Sequence, residues 1–148
     1  MKRSIVALLL LAFGLGLAGC GGKSAEEKAA ESAKNVGANE ITCEGTALSG
    51  DSGLPAGFPK PSGVTYVKTR KEGPTTVVNA YYAGDLDAAF NAYKDAFRPA
   101  GYDVPFNEKE DKDAEVSYEK SGGTTGLVAL KAECDNGHIS VRITSRSA

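Results

Sequence analysis

Residues 85–97 read Asp85-Leu-Asp-Ala-Ala-Phe-Asn-Ala-Tyr-Lys-Asp-Ala-Phe97, and this stretch decides the fold class. Leu86, Phe90, Tyr93 and Phe97 recur at offsets of 4, 7 and 11, which puts all four on one face of a helix. Asp85 offers a side-chain oxygen to the unpaired backbone donors of the first turn. Pro99 and Gly101 stop the helix. A single helix with an aromatic face needs a sheet to cover, and the flanking sequence supplies one. Upstream, Val64 to Arg70 and Thr75 to Tyr82 are rich in β-branched and aromatic residues and are separated by a turn at Glu72-Gly73-Pro74, which predicts a hairpin. Downstream, Tyr102, Val104 and Phe106 alternate with polar residues and Pro105, which predicts a strand pushed to an edge or a bulge. Ala114 to Glu119 reads as its partner, and Leu127 to Cys134 with His138 to Thr144 as a further hairpin, with turns at Ser121-Gly122-Gly123-Thr124 and Asp135-Asn136-Gly137.

The order is therefore two strands, a helix and four strands. Hairpin connections force mostly antiparallel pairing, so the expected fold is α+β: a sheet of about five to six strands with one helix packed on one face. Ile139, Val141 and Ile143 alternate with Ser140, Arg142 and Thr144, which predicts that the other face is wet. No internal repeat is present. A chain of 148 residues has room for one ordinary domain and not for two well-buried cores. With 41% apolar and 24% charged residues it is neither wholly disordered nor fibrous. The formal net charge of -2 provides no field to gather phosphates, which argues against nucleic acid as a partner.

The N-terminus reads Met1-Lys2-Arg3, then an apolar run from Ile5 to Ala18, then Gly19-Cys20. Two cations before an uncharged apolar stretch suit a secretory translocase. The run falls short of the roughly 20 apolar residues that span a bilayer, and Gly14, Gly16 and Gly19 interrupt it. Leu17-Ala18-Gly19-Cys20 resembles the lipobox of bacterial lipoproteins. That resemblance implies a signal peptide over 1–19, cleavage before Cys20, and acylation of Cys20. Two or more acyl chains hold a domain at a bilayer firmly, since each buried methylene contributes ~0.8 kcal/mol. The implied location is the outer, extracytoplasmic face of the cell membrane. Residues 20–42 then form a lipidated cysteine and a flexible tether, because the Gly-, Ala-, Glu-, Lys- and Ser-rich stretch from Gly21 to Thr42 buries too little surface to offset its ordering entropy. Residues 43–148 are the single α+β domain.

If Cys20 carries lipid, Cys43 and Cys134 are left as one pair, and an exported protein sits where such pairs stay oxidised. A Cys43–Cys134 disulfide is the expectation. A zinc site is the alternative, but two cysteines and the lone His138 contain no C-x-x-C spacing and fall short of four ligands.

No constellation carries obvious chemistry. His138 beside Asn136-Gly137 is expected to face water rather than act as a base. Glu108-Lys-Glu-Asp-Lys-Asp-Ala-Glu115 holds five carboxylates, but lysines interrupt it and no glycine makes a calcium-loop turn, so a solvated hairpin tip is expected. Gly122-Gly123-Thr124-Thr125-Gly126 lacks the Lys-Ser or Lys-Thr and the helix of a phosphate cradle, and reads as a turn. Phe58, Tyr66, Tyr81 and Tyr82 could form an aromatic rim on the sheet; the plainer alternative has Leu54 and Phe58 capping the core while the tyrosines complete the sheet faces. Leu54-Pro-Ala-Gly-Phe58-Pro-Lys-Pro61, the Gly73-Pro74 turn, the Asp85-Leu-Asp-Ala-Ala helix start and the late cysteine strand together resemble small lipoproteins of actinobacteria with no assigned function. The resemblance implies the fold and an extracytoplasmic home and carries no functional residue across.

The expected function is that of a lipid-anchored envelope protein whose domain is not an enzyme and binds another envelope protein or a small apolar ligand, with no cofactor and no metal. The alternatives are an enzyme acting on cell-wall carbohydrate through paired carboxylates and a structural or surface antigen without a ligand.

Overall fold

The computed structural model describes residues 40–147. The leader, the lipobox with Cys20, and the tether up to residue 39 lie outside the described residues. Asp85 caps the helix as expected: its backbone is extended and its carboxylate accepts a hydrogen bond from the Ala88 amide at 2.7 Å. Helix α1 runs Leu86–Phe97 and buries Leu86, Ala89, Phe90, Tyr93 and Phe97. Around it are β1 (Val64–Glu72), β2 (Thr75–Tyr82), β3 (Asn107–Lys109), β4 (Asp113–Lys120), β5 (Thr124–Lys131) and β6 (Ile139–Arg146).

These strands make one antiparallel sheet of spatial order β1-β2-β6-β5-β4-β3. The α+β class with one helix on a mostly antiparallel sheet is thus as read from the sequence. Four of the five neighbouring pairs are chain neighbours. The fifth, β2 with β6, runs in register from Thr75 opposite Arg146 to Tyr82 opposite Ile139 and joins the first hairpin to the last. The helix carries the chain from β2 to the far edge at β3. Its aromatic face meets Val78, Ala80, Val116, Val128, Leu130, Val141 and Ile143, all buried. Burying such side chains contributes about 1.5–3 kcal/mol each, which makes this layer the main source of stability.

Three strand expectations need correction. Tyr102 to Phe106 is not a continuous strand: Asp103 bridges Glu119, the ladder lapses at Val104-Pro105, and pairing resumes at β3. Asp103 opposite Glu119 and Asn107 opposite Val116 leave one extra residue on the first chain, a bulge where Pro105 has no amide to donate. The fifth strand begins at Thr124 rather than Leu127 and ends at Lys131, because Cys134 is held in the β5–β6 loop by its sulfur bridge. The helix-free face of β6 is not simply wet: Ser140 and Thr144 are only 4% and 6% exposed.

Ser140 is engaged by a strap formed by the N-terminal segment. Its Thr42 amide donates to Ser140 Oγ at 2.8 Å on the helix-free face. The strap then rounds the outer edge of β1, where the Leu48 amide donates to the Tyr66 carbonyl at 2.7 Å. It finishes on the helix side, where Leu54 and Phe58 pack on the core. Phe58 meets Phe97, Tyr102 and Tyr118 edge-on at 5.5, 5.8 and 5.1 Å, and Phe97 stacks on Tyr118 at 4.7 Å. The proline-rich stretch therefore closes the end of the core. Cys43 and Cys134 are bonded, with Cα atoms 5.5 Å apart, so the strap is tied to the β5–β6 loop.

Candidate functional site

The helix-free face has a polar row that only the register reveals. Glu108, Glu115, Ala129, Arg142, Asn79 and Lys68 are successive partners across β3, β4, β5, β6, β2 and β1. Ala129 is the small member, and strands lie ~4.8 Å apart, so the backbones of Arg142 and Glu115 flank a gap of ~10 Å. A trough of about 220 Å³ opens there. Its floor is β5, through Leu127, Ala129 and Lys131; Ser140, Arg142 and Thr144 of β6 make one wall, Asp113 and Glu115 of β4 the other, and Glu40 and Ile41 of the strap overhang it.

The cations on this face differ sharply in their partners. Arg70 gives Nε to Glu72 at 2.6 Å, and Nη1 to Glu40 at 3.1 Å and to Asn79 Oδ1 at 3.2 Å. Lys68 reaches Glu40 at 3.2 Å, and this bond is the main reason the Glu40 carboxyl lies below its ordinary pKa. Arg142 has no such company. Its Nε and Nη2 are buried without a hydrogen-bond partner among the described residues, and so is Nδ2 of its register partner Asn79. Burial, and then the charge of Arg70, holds the guanidinium below its usual pKa. A buried donor left unpaired costs ~1–3 kcal/mol, so this cluster is the least satisfied polar group on the sheet.

The residues singled out in the sequence fall in several places. Cys43 and Cys134 form the disulfide, and Cys20 is outside the described residues. His138 is half-buried rather than facing water: its ring stacks on Tyr81 at 5.0 Å, and Nδ1 lies 2.8 Å from the Cys43 carbonyl, which also accepts from Asn136. Phe58, Tyr66, Tyr81 and Tyr82 do not form one rim. Phe58 and Tyr66 belong to the helix-side core, with the Lys60 ammonium over the Tyr66 ring at 4.6 Å, while Tyr81 pairs with His138.

The acidic run has its tip at Glu110, Asp111 and Lys112, all exposed, and its ends in β3 and β4. Gly126 belongs to β5, not to a turn; the Tyr118 ring passes over it so that its hydroxyl donates to the Thr144 carbonyl at 2.9 Å. Among the described residues no group of three or more His, Cys, Asp or Glu side chains is placed to hold a metal ion.

Sequence reasoning missed Asn79 and gave Arg142 only an outward position. The available signal was Asn79 itself, an amide inside the run Thr75-Thr-Val-Val-Asn79-Ala-Tyr-Tyr82, where strand sequences disfavour asparagine. Comparison with protein-family models, curated proteins and solved structures returns no match.

Proposed function

We propose that this chain is a lipid-anchored protein of the outer, extracytoplasmic face of a bacterial cell membrane, held through Cys20, and that its α+β domain is a non-enzymatic binding domain. The observation that carries this reading is the Cys43–Cys134 disulfide. Such pairs persist in oxidising compartments, and this one uses both cysteines of the domain, leaving Cys20 as the remaining thiol at the end of the apolar leader. The binding half of the reading is supported by the trough on the helix-free face, where Arg142 Nε and Nη2 have no partner among the described residues.

Metabolic labelling with a fatty-acid analogue in a bacterial host tests the anchor. The native chain is expected to take up label and lose its leader, and Cys20→Ser to lose the label and keep the leader. Label that persists in Cys20→Ser, or a native chain that takes up none, contradicts the proposal.

A further inference from the structure

We propose that the trough over Ala129 binds a small zwitterion, a carboxylate with an ammonium group close by, such as a free amino acid or a dipeptide. Arg142 takes the carboxylate, and Asp113 and Glu115 face the ammonium. This inference deepens the binding half of the reading above and is independent of the anchor.

The polarity of the two walls sets the ligand class. One wall carries a guanidinium whose buried Nε and Nη2 lack acceptors among the described residues, and a carboxylate matches that planar fork while gaining from the low local dielectric. Lysine could not offer the same pair of parallel donors. The opposite wall carries Asp113 and Glu115, and with Lys131 beside Asp113 that side keeps a net charge of about -1, which favours an ammonium over a polyanion such as phosphate. Both conditions are met by a molecule bearing one charge of each sign. The hydroxyls of Ser140 and Thr144 line the same wall as Arg142, although the Ser140 hydroxyl is engaged by Thr42 and the Thr144 hydroxyl leans on the Leu127 carbonyl at 3.4 Å. Size points the same way. About 220 Å³ is below the ~300–1,000 Å³ of sites for drug-sized ligands, and the floor is a single strand, β5.

The test uses the full chain in detergent micelles, followed by calorimetry and by the amide and Arg142 Nε–H resonances. The probes are L-alanine, L-alanyl-L-alanine, N-acetyl-L-alanine, ethylamine and inorganic phosphate. The expected result is that L-alanine or the dipeptide binds and shifts the Arg142 Nε–H signal, and the stronger of the two tells a free amino acid from a peptide. N-acetyl-L-alanine should bind about tenfold more weakly, since removing one charged partner forfeits a charge-assisted contact. Arg142→Met and Arg142→Lys should each lose about tenfold or more, the lysine variant keeping the charge but not the fork. Glu115→Gln should weaken the zwitterion and leave N-acetyl-L-alanine unchanged or improved. Three results overturn the proposal: no probe moves the Arg142 signal, phosphate binds better than either zwitterion, or Nε–H in the free chain is already bonded to a tether carboxylate such as Glu26, Glu27 or Glu31. The native-chain titration stands even if a variant fails to fold.

Discussion

Replacing Cys43 and Cys134 together by alanine is the perturbation whose magnitude follows most directly from the structure. The bridge closes a loop between residues 91 apart in sequence. The chain-entropy relation for such a loop gives about 15 cal/mol/K, or about 4.6 kcal/mol at room temperature. Little of this should come from lost native contacts. The Asn136 amide nitrogen still reaches the Cys43 carbonyl at 3.1 Å, and the His138 ring lies against the same oxygen, so the strap stays docked without the sulfurs. The effect therefore acts mainly on the unfolded chain, which is freed to expand.

Two readouts follow from equilibrium urea unfolding of the native and double-alanine proteins. Stability should drop by about 3–5 kcal/mol, a large share of the ~5–15 kcal/mol of an ordinary domain. The m-value should rise, because the uncrosslinked chain exposes more surface when unfolded. A loss below about 1 kcal/mol with an unchanged m-value would refute the reasoning, since it would mean that the unfolded ensemble is as compact without the bridge as with it.

Gly126→Ala should destabilise by about 2–4 kcal/mol in the same assay, because the added Cβ collides with the Thr144 carbonyl and the Tyr118 hydroxyl and breaks the bond between them; a change under about 0.5 kcal/mol would contradict that packing. Burial pushes the Tyr66 phenol up to about 12 and raises Tyr93 and Tyr118 as well. A raised folded-state pKa means stability that is whole below the unfolded value of 10.0 and falls as pH climbs toward 12, so alkaline unfolding should begin in that window and be blunted for Tyr66→Phe. Glu40 shifts the opposite way. Its stabilisation, present above the ordinary value of 4.5, should fade as pH drops below it, and Glu40→Gln should remove that part of the acid limb; a superimposable pH profile would count against the Glu40–Lys68 contact.

The helix was legible because everything that specifies it is local: the spacing of Leu86, Phe90, Tyr93 and Phe97, the Asp85 cap and the Pro99 stop. Both strands of the first hairpin were equally plain from β-branched runs around Gly73-Pro74, where Gly73 takes φ +58° that other residues resist. The insertion of β6 between β2 and β5 was not legible. Alternation tells which residues share a face, but several strands have the same alternation, and only tertiary packing chooses the neighbour. Gly126 misled for a related reason: a glycine beside two threonines reads as a turn, while its task is to let the Tyr118 ring cross β5. Arg142 and Asn79 form a site only through register, since they stand 63 positions apart in sequence while one ladder step joins them. The engagement of Ser140 came from Thr42, at the end of a polar stretch that gave no hint of docking on the helix-free face.

The central claim is that the sulfurs divide between a lipid anchor and a structural bridge outside the cytoplasm. Intact mass of the protein extracted from membranes, alkylated without reduction, reads both at once. The predicted species begins at Cys20, carries acyl mass and takes up no alkylating agent. A chain that keeps its leader, has no acyl mass and takes up alkylating agent at Cys43 and Cys134 would contradict it.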